Sequence, residues 1–97
     1  MIVLNVIYKC RPELREEFFE TILREGIDVA CRLEKGNLKY DYYLPLDGGE
    51  NELLLLEKWR GADALALHFR QPHYRRLMQL KERYVTETVV ERFETAE

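Results

Sequence analysis

Residues 57–73 read EKWRGADALALHFRQPH, and this segment decides how the chain divides into elements. It ends a leucine-rich run at Trp59, turns at a glycine and continues into an apolar segment from Ala62 to Phe69, which we predict to be helical. The pair Gln71-Pro72 then interrupts that helix, because proline lacks the backbone N–H and clashes with the preceding turn. A second helical segment is predicted from His73 to about Tyr84.

Two strands precede this segment. The residues from Glu52 to Trp59 form one of them, and their centre, Leu53 to Leu56, is apolar on both faces, as is typical of a strand covered on each side. The stretch from Asn37 to Leu46 alternates with period two and predicts another strand. The turn-forming cluster between them, Asp47 to Asn51, predicts a hairpin, so we expect the two strands to be antiparallel.

Two strands at the ends of the chain and a helix after the first strand complete the order of elements. Ile2 to Lys9 is rich in β-branched and apolar residues and predicts the first strand. An amphipathic helix is expected from Pro12 to about Glu34, loosened or kinked at Gly26 and followed by Gly36 as a terminating glycine. Val85 to Glu94 predicts the last strand. The resulting order, βαββαβ, is α+β and is typical of the ferredoxin-like arrangement with an antiparallel sheet.

The length of the chain and this order bear on domains and assembly. The 97 residues leave no room for two independent cores, so we expect one domain, 1–97. Right-handed connections place both helical segments on the same face of the sheet, although Leu53 to Leu56 is apolar on both faces. The most economical cover for the other face is a second copy of the chain, which predicts a homodimer.

Composition argues against several partner classes. The net charge is −3, which provides no basic field to attract nucleic acid or an anionic membrane. The N-terminus has neither a basic leader nor an apolar span, so a cytoplasmic location is expected. Cys10 and Cys31 match no zinc spacing and are interpreted as structural thiols in a reducing compartment.

Few residues suggest chemistry. His68, on the apolar side of a short helix, is either a hydrogen-bonded core histidine or a base whose ordinary pKa suits proton transfer near neutrality. His68 and His73 are five positions apart with Pro72 between them, which disfavours the geometry of a metal pair, and no metal is expected. Asn5 is a polar side chain in an apolar strand, and the Trp59 N–H needs a partner. Taken together, these few polar groups among apolar and aromatic residues favour a small pocket for a flat organic molecule.

Four short motifs resemble those of the antibiotic biosynthesis monooxygenase (ABM) family: Gly36-x-x-x-Tyr40, Glu57-Lys58-Trp59, Ala64-Leu65-x-x-His68 and Gln71-Pro72-His73. The resemblance covers almost the whole chain. It implies a ferredoxin-like protomer whose sheet packs against that of a partner in a dimeric α+β barrel. Members of this family include cofactor-independent oxygenases of quinols and phenols, haem-degrading enzymes and isomerases of a phosphorylated signalling sugar.

The resemblance also implies a reaction. We expect a monooxygenase that oxidises a small phenol or hydroquinone with O2 as co-substrate and without a cofactor. His68 takes the phenolic proton, while Asn5 and the Trp59 N–H hydrogen-bond the oxyanion. The haem-degrading branch has a Trp where this chain has His68, so haem is not expected. The residues expected to contact the substrate are Tyr40, Tyr42, Leu65, Phe69, Tyr74 and Met78.

Two other functions remain open from the sequence. An isomerase of a small phosphorylated sugar requires a cationic phosphate site, for which Arg70, Arg75 and Arg76 are the nearby candidates. A dimer that binds a ligand without catalysis is the third possibility, because a fold does not determine a function.

Overall fold

A computed structural model describes residues 1–96, which form a four-stranded antiparallel sheet and four helices. The strands lie in the order β2-β3-β1-β4, which is the ferredoxin-like order. The predicted fold class is therefore confirmed. The elements are β1 (Ile2–Cys10), α1 (Arg15–Arg24), α2 (Ile27–Arg32), β2 (Asn37–Tyr43), β3 (Glu52–Trp59), α3 (Ala62–His68), α4 (Pro72–Tyr84) and β4 (Val85–Glu94).

The predicted β2–β3 hairpin is antiparallel, and β1 is the central partner of both β3 and β4. Val6 is paired with Leu55 on one side and Val90 on the other. Directly paired residues of neighbouring strands point to the same face of a sheet. These pairings therefore define an inner face, which the helices cover, and an outer face.

The core lies between the inner face and the helices. The even-numbered residues of β1 and the odd-numbered residues of β3 are buried, as the period-two rule requires. Every helix contributes apolar or aromatic side chains to this layer, so all four helices lie on the inner side. The buried cluster includes Ile2, Leu4, Val6, Tyr8, Phe18, Ile22, Ile27, Cys31, Tyr40, Leu53, Leu55, Trp59, Leu65, Leu77, Leu80 and Tyr84.

The long helix expected from Pro12 to Glu34 is wrong in two respects. It is two helices, because Gly26 between them has φ +70°, a left-handed conformation that ends one helix before the next begins. It also starts later, at Arg15, since Glu13 has φ +68° and cannot continue a right-handed helix.

Smaller differences concern the ends of elements. β2 stops at Tyr43 rather than Leu46, while β1 continues to Cys10. The helix expected to end at Phe69 ends at His68. The following helix begins at Pro72, one residue earlier than expected, because the first turn of a helix does not need the N–H that proline lacks.

The outer face of the sheet is partly apolar. Leu54 and Leu56 are half-buried there, and Phe93 on β4 is 50% exposed. The helices of residues 1–96 lie on the opposite side. A second copy of the chain as the cover for this face remains a prediction. None of the described helices is both long and apolar enough to cross a bilayer.

Candidate functional site

His68 is the last residue of α3, and its side chain lies in the core beneath the α3–α4 junction. Its exposed fraction is 1%. The imidazole is surrounded by aromatic rings, with centroid separations of 4.5 Å to Trp59, 5.0 Å to Tyr74, 5.8 Å to Phe69 and 6.0 Å to Tyr40. The sequence motifs around Trp59, His68 and Tyr40 therefore meet at one place.

Glu34 connects the two histidines of the chain. Its Oε2 lies 2.7 Å from His68 Nδ1 and 2.7 Å from His73 Nε2. A carboxylate can only accept hydrogen bonds, so the proton of each neutral imidazole must lie on the nitrogen that faces Glu34. This assigns the Nδ1–H tautomer to His68 and leaves the lone pair on its Nε2.

The environment of His68 keeps the imidazole neutral. Burial lowers its pKa from the ordinary value, and the nearby Glu34 carboxylate opposes this effect only in part. A neutral imidazole at pH 7 can accept a proton, which a charged one cannot. The imidazole is therefore oriented through Nδ1, and its Nε2 carries a lone pair that can accept a proton.

Glu34 was not among the residues that the sequence singled out. It lies in the turn after α2, 34 positions from His68, where a glutamate looks like an ordinary surface residue. Gly36 fixes this turn against α3: its φ is +88°, and a Cβ atom added there would lie 2.6 Å from the Cβ of Ala64. The close approach that glycine permits therefore brings Glu34 towards the α3–α4 junction.

Trp59 is fully buried, and its indole Nε1–H donates a hydrogen bond of 2.9 Å to Glu57 Oε1. Burial raises the pKa of Glu57 to about 7; the hydrogen bond from Trp59 opposes the rise, and the charge of Glu34 adds to it. The predicted role of Trp59 as a donor to an oxyanion therefore requires that this hydrogen bond be exchanged for one to the substrate.

Two predicted substrate contacts, Tyr40 and Tyr42, carry buried hydroxyl groups without a hydrogen-bond partner among residues 1–96. Burial raises the pKa of both phenols well above the ordinary value. Both lie on the inner face of β2, where the ring of Tyr42 also packs against Phe19 at 5.5 Å. An unpaired buried hydroxyl costs free energy, so a polar partner for either group would be stabilising.

The other predicted contacts fall into two groups. The rings of Phe69 and Tyr74 pack on each other at 5.1 Å and on His68. Leu65 is buried in the core, and Met78 is partly buried against it. All four lie on the helix side of the sheet with His68.

Asn5 does not join this group, contrary to expectation. It is exposed on the outer face of β1, between Leu56 of β3 and Glu91 of β4. The alternation of β1 gives the reason, because the residues on either side, Leu4 and Val6, point into the core. The whole sheet therefore separates Asn5 from His68 of the same chain.

Two surface clefts adjoin the site. One has a volume of about 360 Å³ and is lined by Ala30, Leu33, Glu34, Lys35, Leu67, Gln71 and His73. His68 does not line this cleft, but it is hydrogen-bonded to Glu34, which does. A neighbouring cleft of about 530 Å³ shares Lys35 and Leu67 with it. Solvent molecules and ligands can therefore approach the Glu34 side of the cluster.

The three arginines considered for a phosphate site do not form a cationic cluster directed at one point. Arg76 forms two hydrogen bonds, of 2.7 and 2.8 Å, with the carboxylate of Glu25. Arg70 and Arg75 are exposed on the surface. The charge of Arg76 is therefore balanced within the chain, and this pattern does not favour the isomerase alternative.

The fold and this site define a ferredoxin-like α+β domain with a buried histidine between its sheet and its helices. Residues 1–80 match the family model described as antibiotic biosynthesis monooxygenase, and the chain belongs to this family. A relative from Bacillus subtilis (strain 168), the candidate monooxygenase YcnE, is 36% identical over 74 residues, which are 76% of this chain and 75% of the relative.

Solved structures agree with the fold. A candidate antibiotic biosynthesis monooxygenase from Nitrosomonas europaea superposes with a TM-score of 0.87 over 100% of both chains at 18% identity. Rv0793 from Mycobacterium tuberculosis gives a TM-score of 0.83 at 26% identity, over 99% of this chain and 95% of the other. The first likeness is one of fold alone, given its low identity.

Proposed function

We propose that this protein is a monooxygenase that oxidises a small phenol or hydroquinone with O2 and without a resident cofactor. The observation that carries the proposal is the buried, neutral imidazole of His68, held through Nδ1 by Glu34 and surrounded by aromatic rings. A flat aromatic substrate would pack against the same rings.

The first step is removal of the phenolic proton by His68 Nε2. A free phenol has a pKa near 10, so it is largely protonated at pH 7 and is a poor electron donor. Its anion passes an electron to O2 much more readily. Buried rings around the base keep water from the reactive intermediate.

The remaining steps balance with the substrate and O2 alone. One electron passes from the phenolate to O2, and the resulting radical pair forms a carbon–oxygen bond at a ring carbon that carries hydrogen. The peroxide takes the proton held by His68. Loss of the hydrogen on that carbon as a proton to His68, with cleavage of the O–O bond, then gives a quinone carbonyl, and the expelled hydroxide leaves as water. The sum is phenol plus O2 to quinone plus water.

Tyr40 and Tyr42 supply contacts for the substrate. Their hydroxyls are buried and unpaired, and each can donate a hydrogen bond to an oxygen of a phenol or quinone. Trp59 is a third donor if Glu57 releases it. Asn5 has no part in this site within one chain.

Entry requires movement of side chains, because His68 is almost fully buried. The cleft beside Glu34 and His73 is the route nearest to the base. Phe69 packs against His68, with the ring centroids 5.8 Å apart, and the residue is 47% exposed at the junction of α3 and α4. Displacement of this exposed ring is a second route that we propose towards the imidazole.

We also propose that two copies associate through the outer face of the sheet. The half-buried Leu54 and Leu56 and the exposed Phe93 support this assembly, as does membership of the family. Burial of these side chains against the same residues of a second copy would give a two-fold interface.

The test is O2 consumption by the metal-free protein with a panel of naphthols, hydroquinones and anthrone-type phenols. Uptake above the spontaneous rate, with a quinone as product, is expected. The variant His68→Ala should lose at least about a hundredfold in kcat, since a positioned base contributes about 10²–10⁴-fold.

Arg75→Ala is the matched control. It changes an exposed residue of α4 and should leave the rate as it is. Equal O2 uptake by the His68→Ala variant, with retained folding by circular dichroism, would remove His68 from the mechanism. No uptake with any substrate of the panel would leave ligand binding without catalysis as the better function.

A further inference from the structure

Cys31 and Glu34 lie beside both histidines of the chain. Cys31 comes from the last turn of α2, Glu34 from the turn that follows, His68 from the end of α3 and His73 from the first turn of α4. One potential ligand atom from each of the four residues lies within 4.8 Å of the other three. Four segments of the chain thus bring a thiol, a carboxylate and two imidazoles to one point.

From this cluster we propose a second use of the site: Cys31, Glu34, His68 and His73 bind one zinc-class divalent cation. One thiolate, one carboxylate oxygen and two imidazole nitrogens form a set of four donors that suits tetrahedral zinc or cobalt. Binding of the ion goes beyond the oxygenase and does not depend on it; only the effect of the ion on turnover rests on the proposed function.

The distances are close to those that such an ion needs. Zinc binds nitrogen and oxygen at about 2.0–2.2 Å and sulfur at about 2.3 Å, so tetrahedral ligand atoms lie roughly 3.3–3.8 Å apart. The two histidine nitrogens lie 2.7 Å from Glu34 Oε2, and every pair is within 4.8 Å. An ion at this point therefore requires the two hydrogen bonds to lengthen and the longer gaps to shorten, which we assign to rotation of the side chains.

The protons can be accounted for. An ion at this point takes the place of the proton on His68 Nδ1, and that histidine then carries its proton on Nε2. In the same way the ion takes the place of the proton on His73 Nε2, and His73 then carries its proton on Nδ1. The Cys31 thiol gives up its proton to solvent on binding.

Burial and access also fit a cation site. Cys31 has an exposed fraction of 0%, and the side chains of Glu34 and His73 are 9% and 19% exposed. The two outer ligands line the cleft of about 360 Å³, through which an ion can enter. The inner two are shielded, which slows the loss of a bound ion.

Zinc and a phenol would compete for the same imidazole. Once His68 ligates a cation, its Nε2 carries the proton and can no longer act as a base. The metal-bound form is therefore an inactive form of the proposed oxygenase, and the cluster supplies a means by which zinc can regulate it.

Cobalt binding tests the proposal by spectroscopy, without any measurement of turnover. Co2+ added to the untagged, chelator-treated protein should give one equivalent of a tetrahedral visible spectrum, together with a near-ultraviolet thiolate-to-cobalt charge-transfer band. Added Zn2+ should abolish both. Cys31→Ser should remove the charge-transfer band, whereas Cys10→Ser, a change at the other buried cysteine, should keep it.

His73→Asn covers the case in which Cys31→Ser fails to fold, because His73 is partly exposed and lies outside the apolar core. Its Kd for cobalt should rise by at least about tenfold, since even the loss of an outer partner of a ligand weakens metal sites about 10–100-fold. The absence of a charge-transfer band in the unmodified protein, or an unchanged Kd in His73→Asn, would overturn the proposal. The oxygenase assay is run on metal-free protein, so either proposal can fail alone.

Discussion

The Trp59 indole donates a hydrogen bond of 2.9 Å to Glu57, two residues earlier on β3, and both side chains are buried on the inner face of the sheet. A carboxyl group in such a position resists ionisation, and burial raises the pKa of Glu57 to about 7. The charge of Glu34 adds to this rise, and the Trp59 N–H opposes it. The pair is therefore sensitive to pH near neutrality.

Glu57 should make the folded state less stable as the pH rises from about 4.5 to 7. In that range the folded chain holds a proton on Glu57 that the unfolded chain has released, so the free energy of unfolding falls as pH rises and then levels above about 7. The effect amounts to a few kcal/mol, because a tenfold change in an acidity constant is worth about 1.4 kcal/mol.

Urea unfolding of wild type and Glu57→Gln at pH 5, 6, 7 and 8 measures this dependence. The variant keeps an oxygen that can accept the Trp59 hydrogen bond but cannot ionise, so its stability should vary less over the range. Glu82→Gln, an exposed change on α4, should follow the wild type. Parallel pH curves for wild type and Glu57→Gln would show that Glu57 ionises normally in the fold.

Gly36→Ala should destabilise the protein more than Gly48→Ala does. Both glycines have positive φ, at +88° and +73°. Each substitution therefore puts an alanine in the left-handed conformation, which lowers the free energy of unfolding by roughly 1–2 kcal/mol. Only at Gly36 does the new Cβ meet another atom, the Cβ of Ala64 at 2.6 Å, whereas nothing lies within 4 Å at Gly48. Thermal unfolding of the two variants measures the difference, and equal losses would mean that the Gly36 turn moves away from α3 at no cost.

The fold followed from local patterns. The β-branched and apolar run of β1, the period-two alternation of β2, the turn cluster from Asp47 to Asn51 and the break at Pro72 are signals carried by adjacent residues, and each specifies an element or its end. The division of the first helix at Gly26 was only partly foreseen. A glycine there is compatible with a loosened helix as well as with two helices, and its positive φ becomes evident only in three dimensions.

The site was predicted less completely, for two physical reasons. His68, Trp59 and Tyr40 belong to recognisable motifs, but Glu34 and Cys31 lie at the end of an amphipathic helix and carry no local signal of function. The packing of α2 against α4 and the close approach of the Gly36 turn to Ala64 of α3 bring them to the histidines. For Asn5 the local pattern was informative: the alternation of β1 puts it on the opposite face from Leu4 and Val6, and the structure places it there, away from His68 of the same chain.

Glu34→Gln should weaken the orientation of His68. Both imidazoles bond to the same oxygen, Glu34 Oε2. The amide oxygen carries no full charge and is a weaker acceptor, and the neighbouring NH2 group can instead donate to an imidazole lone pair. In 15N NMR spectra the wild type should show His68 protonated at Nδ1 and His73 at Nε2, and the variant should show a mixture of tautomers.

The same variant should lower kcat of the proposed oxygenase by about 10–100-fold, part of what a positioned base contributes, with little change in KM. Glu25→Gln, which alters a surface carboxylate paired with Arg76, is the control and should keep both values. If the Glu34→Gln variant shows the same tautomers as the wild type, Glu34 is not the group that positions His68, whatever the effect on the rate.

Placing charge on the outer sheet face should separate the proposed dimer. The double variant Leu54→Asp/Leu56→Asp puts two carboxylates on β3 where a partner's apolar side chains would lie, and an unpaired charge buried in an interface costs several kcal/mol. Sedimentation velocity at micromolar concentration should give a dimer for the wild type and a monomer for the variant. Leu46→Asp makes the same chemical change in the exposed β2–β3 loop and should remain dimeric. A monomeric wild type would mean that the sheet face tolerates solvent, and that each chain forms its site alone.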